Sequence, residues 1–141
     1  MKVYVDSSVL LRVVLGEEAP LAEWPRITQP MASELIRVEC LRTIDRARLR
    51  FGIPDRDVAE RRAQVLEYLE TFELVTLDRG VLERTAEPFP TAIGTLDAIH
   101  LTSALVARAV VPELTFATHD GELGLAARAM GFPVLGVTLP A

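Results

Sequence analysis

Four acidic residues occupy positions at which a folded chain could hold a carboxylate for chemistry. Asp6 directly follows the first apolar run of the sequence, and Asp120 follows a later one. Asp97 begins an apolar helical segment, and Glu39 lies inside another. Carboxylates that converge repel one another, and a divalent cation removes that cost. An all-oxygen set without a cysteine or histidine cluster selects hard ions, so the pattern predicts a Mg²⁺ site, with Mn²⁺ as the alternative.

Each of the four acids also has a simpler structural interpretation. Asp6 and Asp97 would be favourable charges at helix N-termini even without a ligand, and Asp120 would serve as a turn residue. Glu39 is harder to explain in this way, because it borders the apolar face of its helix, where an unpaired carboxylate is costly. Spacing along the chain leaves both interpretations open, since it does not show that the four side chains meet.

The elements that must position these residues alternate between strands and helices. The predicted strands lie at residues 2–5, about 27–32, 74–77, 115–118 and 133–137. The predicted helices lie at residues 9–15, 34–49, 55–72, 79–86, 95–109 and 119–130. This alternation is typical of an α/β domain with a mainly parallel sheet of about five strands, and we expect one domain over residues 1–141. Ligands of such sheets bind at the carboxyl ends of the strands, where Asp6 and Asp120 lie.

Composition limits the class of protein. Half of the 141 residues are apolar, so a largely disordered chain is excluded. One cysteine excludes a disulfide framework, and no apolar run reaches the roughly 18 residues of a membrane span. We therefore expect a cytoplasmic protein. The formal net charge of −5 argues against a sequence-independent nucleic-acid coat, but four of the 20 acidic residues are those of the predicted metal site.

Four segments of the chain resemble the PIN-domain family. They are residues 3–10 (VYVDSSVL), 37–42 (RVECLR), 96–101 (LDAIHL) and 118–120 (THD). Each motif alone is weak, but the four occur in order, on suitable elements and across essentially the whole chain. Within the family they are most similar to the VapC-type toxins of bacterial toxin–antitoxin pairs.

The resemblance implies a three-layer α/β/α fold and a metal-dependent endoribonuclease. Asp6, Glu39, Asp97 and Asp120 match the acidic quartet of the family, so it implies that these four hold Mg²⁺ or Mn²⁺ and carry catalysis. A water activated by the metal would attack the RNA phosphodiester and leave a 3′-hydroxyl and a 5′-phosphate. The implied partners are RNA, with tRNA or another structured RNA as candidate substrates, and a cognate antitoxin protein.

Five residues near the quartet are weaker candidates. Ser7 and Ser8 are predicted to be helix caps, with orientation of a water at the metal as the alternative. Thr118 is predicted to be a strand residue that could also steady a site carboxylate. His100 is predicted to be packed in the core, with general base as the alternative, and Glu122 to be a solvated helix residue, with outer metal ligand as the alternative.

Three further residues are predicted to be structural. Asp78 follows a strand and most simply caps the next helix. His119 is expected to point away from the site, and Cys40 to be buried and inert.

The helix predicted at residues 34–49 has an apolar and a basic face. Its apolar stripe is predicted at Leu35, Val38, Leu41, Ile44 and Leu49. Arg42, Arg46 and Arg50 recur every four residues, and this basic stripe would contact RNA phosphates or an acidic antitoxin face, or else be an ordinary solvated face.

The apolar content of the chain also predicts protein partners. Trp24 and the helices at residues 9–15 and 55–72 are expected to form a homodimer surface and a groove for an antitoxin helix.

Other functional classes fit the sequence less well. A phosphatase of the haloacid-dehalogenase type would need an acid at Ser8 and a downstream lysine, and Lys2 is the single lysine of the chain. A receiver-like signalling domain would also need a late lysine. A catalytically silent PIN-like binding module, or a housekeeping RNA-processing nuclease without an antitoxin, remain alternatives.

Overall fold

The computed structural model describes residues 1–16 and 18–140. Its strands are β1 (Lys2–Val5), β2 (Gln29–Ser33), β3 (Glu73–Val75), β4 (Thr115–Ala117) and β5 (Val134–Leu135). Its helices are α1 (Ser7–Leu15), α2 (Leu35–Phe51), α3 (Asp55–Leu69), α4 (Arg79–Thr85), α5 (Thr95–Val110) and α6 (Gly121–Ala129), with a short 3₁₀ helix at Trp24–Arg26. The predicted alternation of strands and helices is confirmed, and the element ends differ by a few residues.

The sheet has five parallel strands in the order β3-β2-β1-β4-β5. From β1 the chain proceeds outward to β2 and β3, and it then returns to the other side of β1 to form β4 and β5. The neighbouring strands β1 and β4 therefore lie where the strand order reverses. A crevice forms at the carboxyl ends of two such strands, because their connections leave in opposite directions.

Helices cover both faces of the sheet because consecutive side chains of a strand point to opposite sides. Val3 and Val5 pack with α1, α2 and α3 on one face. Tyr4, between them, packs with α5 and α6 on the other face. The predicted three-layer α/β/α fold is therefore confirmed.

The helix that carries Glu39 buries a different stripe from the predicted one. Ile36 and Cys40 are fully buried, whereas Val38 is 54% exposed and Leu49 is 69% exposed. The prediction was wrong for Val38 and Leu49, because periodicity alone does not show which side of an amphipathic helix meets the sheet. Glu39 adjoins the buried Cys40 and is itself partly buried, so it lies at the border between core and solvent.

Some of the apolar residues expected to form a dimer surface are packed within the chain, and others are partly exposed. Val9 and Leu10 of α1 are fully buried. Trp24 packs edge-on against Tyr68 of α3, with ring centroids 5.5 Å apart. The homodimer and the location of its surface therefore stay predictions. Within the part of the chain that the structure describes, the most exposed large apolar side chains lie on α2, α4 and α5.

Across residues 1–16 and 18–140, none of the helices combines the length and the apolar character needed to cross a bilayer.

Candidate metal centre

Asp6 is held rigidly at the carboxyl end of β1. Its backbone N–H donates to the carbonyl of Ala117 and so continues the pairing of β1 with β4. Its side chain is only about 6% exposed. Oδ2 accepts hydrogen bonds from the hydroxyls of Ser8 at 2.7 Å and Thr118 at 2.9 Å. Both hydroxyls donate to the same carboxylate oxygen, and the other oxygen, Oδ1, faces the residues of α2 and α5.

Glu39 and His100 meet Asp6 from two different helices. Nε2 of His100 on α5 hydrogen-bonds to Oε1 of Glu39 on α2 and lies 3.5 Å from Oδ1 of Asp6. One ligand atom of each residue lies within 4.8 Å of the other two. The structure therefore brings together two of the four predicted acids, with a histidine between them.

Asp97 lies in the first turn of α5, one helical turn before His100. Burial, together with the negative charges of Asp120, Asp6 and Glu39, raises the pKa of the Asp97 carboxyl to about 6, although His100 opposes the shift. Asp97 is not one of the three residues within 4.8 Å of one another, but the other acids are close enough to affect its ionisation. The acidic residues of this region carry more negative charge than His100 compensates.

Asp120 caps the N-terminus of α6. Its Oδ1 accepts from the backbone N–H groups of Glu122 at 2.9 Å and Leu123 at 3.2 Å. Its own N–H donates to the hydroxyl of Thr118, which also bonds to Asp6. Thr118 thus ties Asp120 to the end of β1, and Asp120 contributes charge at the edge of the centre.

His100 is packed, as predicted, and it also takes part in the centre, which that prediction did not include. It is 1% exposed, as expected for a packed histidine, but its ring also contacts two of the predicted acids. Burial alone lowers the pKa of His100, but the hydrogen bond to Glu39 and the charges of Asp6, Glu39 and Asp97 outweigh it, so the pKa is raised. The spacing of His100 and Asp97, three residues on one helix, was the available signal.

Tyr4 is a residue of the centre that the sequence did not predict at all. Its hydroxyl lies 2.9 Å from Nδ1 of His100 and accepts a hydrogen bond from the backbone N–H of Ser33 at 3.1 Å. Burial, followed by the charge of Asp6, raises the pKa of Tyr4 well above its usual range. An apolar run such as residues 2–5 gives no sign that one of its side chains reaches a neighbouring helix.

The remaining candidates near the centre are less involved. Ser7 lies 3.5 Å from Oδ1 of Asp6, a long contact, and Glu122 is exposed. His119 contacts the carbonyl of Gly136 through Nδ1, at 2.9 Å, which agrees with the expectation that it points away.

Two predicted structural roles are confirmed. Asp78 accepts a hydrogen bond from the N–H of Val81 and so caps α4. Cys40 is fully buried, and burial together with the charge of Glu39 raises the pKa of its thiol. A thiol held protonated in this way is a poor nucleophile and a poor metal ligand.

The donor set of this centre fits a divalent cation. Asp6 and Glu39 are carboxylates, the ligands that Mg²⁺ and Mn²⁺ prefer, and their ligand atoms are close enough to share one ion. Burial is the largest cause of the raised pKa of Asp97, and repulsion from Asp120, Asp6 and Glu39, which such an ion would relieve, adds to it.

Comparison with known proteins gives the family of the chain. The profile of the PIN domain matches residues 3–127. The chain belongs to the PIN-domain family. Its segments at the acidic residues had indicated this family, and the resemblance to VapC-type proteins is likewise confirmed by individual relatives.

Among the relatives of this PIN domain is Ribonuclease VapC35 of Mycobacterium tuberculosis, found in two strains. It is 32% identical over 139 residues, which cover 94% of this chain and 95% of the relative. Among solved structures, a chain of the VapBC2 complex of Rickettsia felis, bound to a DNA fragment from its promoter, has a TM-score of 0.63. That match covers 95% of this chain and 97% of the other at 9% identity, so it shows a shared fold.

Proposed function

We propose that this PIN domain is a Mg²⁺- or Mn²⁺-dependent endoribonuclease that acts as the toxin of a type II toxin–antitoxin pair. The observation that carries the proposal is the meeting of Asp6, at the carboxyl end of β1, with Glu39 of α2, while the charges of Asp120, Asp6 and Glu39 help to raise the pKa of nearby Asp97. A partly buried group of like charges is costly to maintain without a ligand, so its presence in the fold favours a catalytic cation.

Each acid has a distinct part in holding the cation. Asp6 and Glu39 would supply ligand oxygens, because their ligand atoms already lie together. Asp97 would add a third carboxylate from the first turn of α5, and Asp120 would add charge at the outer edge. A bound divalent ion supplies charge neutralisation at a scissile phosphate and lowers the pKa of water.

The other residues of the centre prepare these carboxylates. The hydroxyls of Ser8 and Thr118 fix Oδ2 of Asp6, which leaves its orientation independent of the ligand. A carboxylate that needs no reorientation retains more of its electrostatic effect, because no free energy is spent on rearranging it during the reaction.

RNA would approach along the face of α2 that carries Glu39. Arg46 and Arg50 follow Glu39 by seven and eleven residues, which places them within about 20° of it around the helix. Both arginines are exposed, and so is Arg42 beside them. The stripe therefore extends from the acidic centre along one side of the protein, where phosphates could bind.

The toxin assignment draws on the relatives. Ribonuclease VapC35 carries the activity in its name, and the similar chain from Rickettsia felis belongs to a VapBC complex on promoter DNA. By analogy we propose a cognate antitoxin as the protein partner, a homodimer as the assembly, and the cytoplasm as the location. The RNA substrate is proposed as tRNA or another structured RNA.

A cleavage assay tests the activity. Purified protein is incubated with total cellular RNA in EDTA, Mg²⁺ or Mn²⁺, and the fragments are probed for 5′-phosphates. We expect fragments with 5′-phosphate ends in either metal and none in EDTA, and we expect Asp97→Asn to reduce their rate of formation. Cleavage that persists in EDTA would exclude the proposed chemistry.

A growth assay separates a toxin from a housekeeping nuclease. Induced expression of the wild type should arrest bacterial growth, and expression of Asp6→Asn to the same level should not. Normal growth with active wild-type enzyme would favour a housekeeping role in RNA processing.

A further inference from the structure

A chain of hydrogen bonds connects the middle of the sheet to the acidic centre. It starts at the backbone N–H of Ser33 on β2, which donates to the hydroxyl of Tyr4 on β1 at 3.1 Å. The Tyr4 hydroxyl lies 2.9 Å from Nδ1 of His100 on α5. The opposite nitrogen of that ring, Nε2, contacts both Glu39 and Asp6. These contacts thus connect four elements of the fold, β2, β1, α5 and α2, through the imidazole of His100.

The direction of the last hydrogen bond follows from the chemistry of its partners. An ionised carboxylate has no proton to donate, so the proton between His100 and Glu39 belongs to Nε2. At the other side of the ring, Nδ1 either accepts the proton of Tyr4 or, in the charged ring, donates to its oxygen. Nε2 is a donor in both cases, and its lone pair is not free to bind a metal ion.

We propose that His100, oriented by Tyr4, is a positioning residue that aligns Glu39 with Asp6 for the divalent cation and is not itself a ligand. The inference rests on the proposed function and adds to it the residues that prepare the site. Asp6 follows a strand and Glu39 lies on a helix, and Nε2 of His100 lies between them: it hydrogen-bonds to Glu39 and lies 3.5 Å from Oδ1 of Asp6.

Burial makes this arrangement specific. Tyr4 is fully buried, His100 is 1% exposed, and Ser33 is fully buried, so water cannot replace any of the three partners. Partners that orient ligand side chains typically contribute roughly 10–100-fold to metal affinity. Removing the Tyr4 hydroxyl should therefore weaken cation binding although Tyr4 does not reach the ion.

Ring nitrogen NMR tests the position of the proton. The protein has two histidines, so the variant His119→Asn assigns the signals of His100. We expect a proton on Nε2 of His100 in the metal-free protein, and we expect it to stay there when Mg²⁺ is added to saturation. Loss of the Nε2 proton on adding Mg²⁺ would identify His100 as a ligand and overturn the proposal.

Calorimetric titration with Mn²⁺ tests the effect on the carboxylates. We expect Tyr4→Phe and His100→Leu to weaken binding by about tenfold or more, and His100→Gln to retain most of the affinity, because its amide keeps a donor near the position of Nε2. Thr102→Val is the matched control, since Thr102 is a buried residue of the same helix that contacts Thr85 of α4.

The outcomes separate this inference from the proposed function. Circular dichroism confirms that each variant is folded before titration. If the wild type binds no Mn²⁺, the proposed metal dependence fails. If the wild type binds Mn²⁺ and both Tyr4→Phe and His100→Leu bind it as tightly as Thr102→Val does, the positioning role is wrong and the proposed function stands.

Discussion

The hydroxyl of Thr118 donates to Oδ2 of Asp6 at 2.9 Å and so connects two residues that are 112 positions apart in the sequence. The same hydroxyl accepts the backbone N–H of Asp120. One buried threonine therefore links the ends of β1 and β4 and the start of α6. This link brings two of the four acids to the same edge of the sheet.

Replacement of Thr118 by valine should destabilise the protein at nearly constant volume. Asp6 would lose one of its two hydroxyl donors, and the N–H of Asp120 would lose its acceptor. We expect the free energy of unfolding in urea to fall by about 1–3 kcal/mol. Thr115→Val, on the same strand, is the control and should change it by less than about 0.5 kcal/mol. Equal losses in the two variants would contradict the role given to Thr118.

Stability of the metal-free protein should fall as the pH rises. The folded pKa of Asp97, about 6, lies above its ordinary value of 3.8, so folding takes up protons between these values. His100, with its pKa raised above 6.5, extends the same trend: its contribution is complete below 6.5 and is lost as the pH rises through the folded value.

Thermal unfolding in EDTA measures this dependence. The Tm of the wild type minus the Tm of Asp97→Asn should be most positive at pH 4 and should decrease towards pH 7. Added Mn²⁺ should restore stability at pH 7 in the wild type, because the ion compensates the carboxylates. A Tm difference that does not vary with pH would contradict the raised pKa of Asp97 in the folded protein.

Gly136 should not tolerate a side chain. Its φ is +96°, and a Cβ atom there would lie 2.3 Å from the carbonyl oxygen of Thr118. We expect Gly136→Ala to lower the free energy of unfolding by at least roughly 1–3 kcal/mol and to reduce activity through displacement of Thr118. Gly121→Ala, where no atom lies within 4 Å, should be neutral or stabilising. Similar stability of the two variants would contradict the close approach at Gly136.

The arginine stripe of α2 should contribute to RNA affinity through charge. In an Asp6→Asn background, which separates binding from cleavage, Arg46→Gln and Arg50→Gln should weaken RNA binding. Each should also reduce the slope of log affinity against log salt by roughly 0.7 for every phosphate that the arginine had neutralised. Arg62→Gln, an exposed arginine of α3, is the control. An unchanged slope would place the RNA elsewhere on the surface.

Much of the fold could be predicted from local patterns. Apolar runs ended by Asp6 and by residues 118–120 predicted strands with acids at their carboxyl ends, and Asp78 was recognised as a cap because its surroundings are local. The stripe of α2 was predicted incorrectly at Val38 and Leu49, because the side of a helix that meets the sheet is decided by tertiary packing.

The residues of the centre could be predicted only in part from the sequence, because tertiary packing also decides which side chains meet there. The four acids could be named from their types and places, but the hydrogen bonds of Tyr4 with Ser33 and His100 join residues 29 and 96 positions apart. A single sequence does not encode such pairs in any periodicity. His100 is packed, as expected. A buried histidine can also contact the acids, and the prediction of burial gave no sign of that contact.

The most direct test of the metal centre compares RNA cleavage by Asp6→Asn and Asp78→Asn at saturating Mn²⁺. Both substitutions replace an aspartate that follows a strand by its neutral isostere, but only Asp6 belongs to the proposed metal centre, whereas Asp78 caps α4. We predict that Asp6→Asn lowers the cleavage rate by at least roughly 100-fold and that Asp78→Asn cleaves at nearly the wild-type rate. Cleavage by Asp6→Asn at the wild-type rate would contradict the central claim.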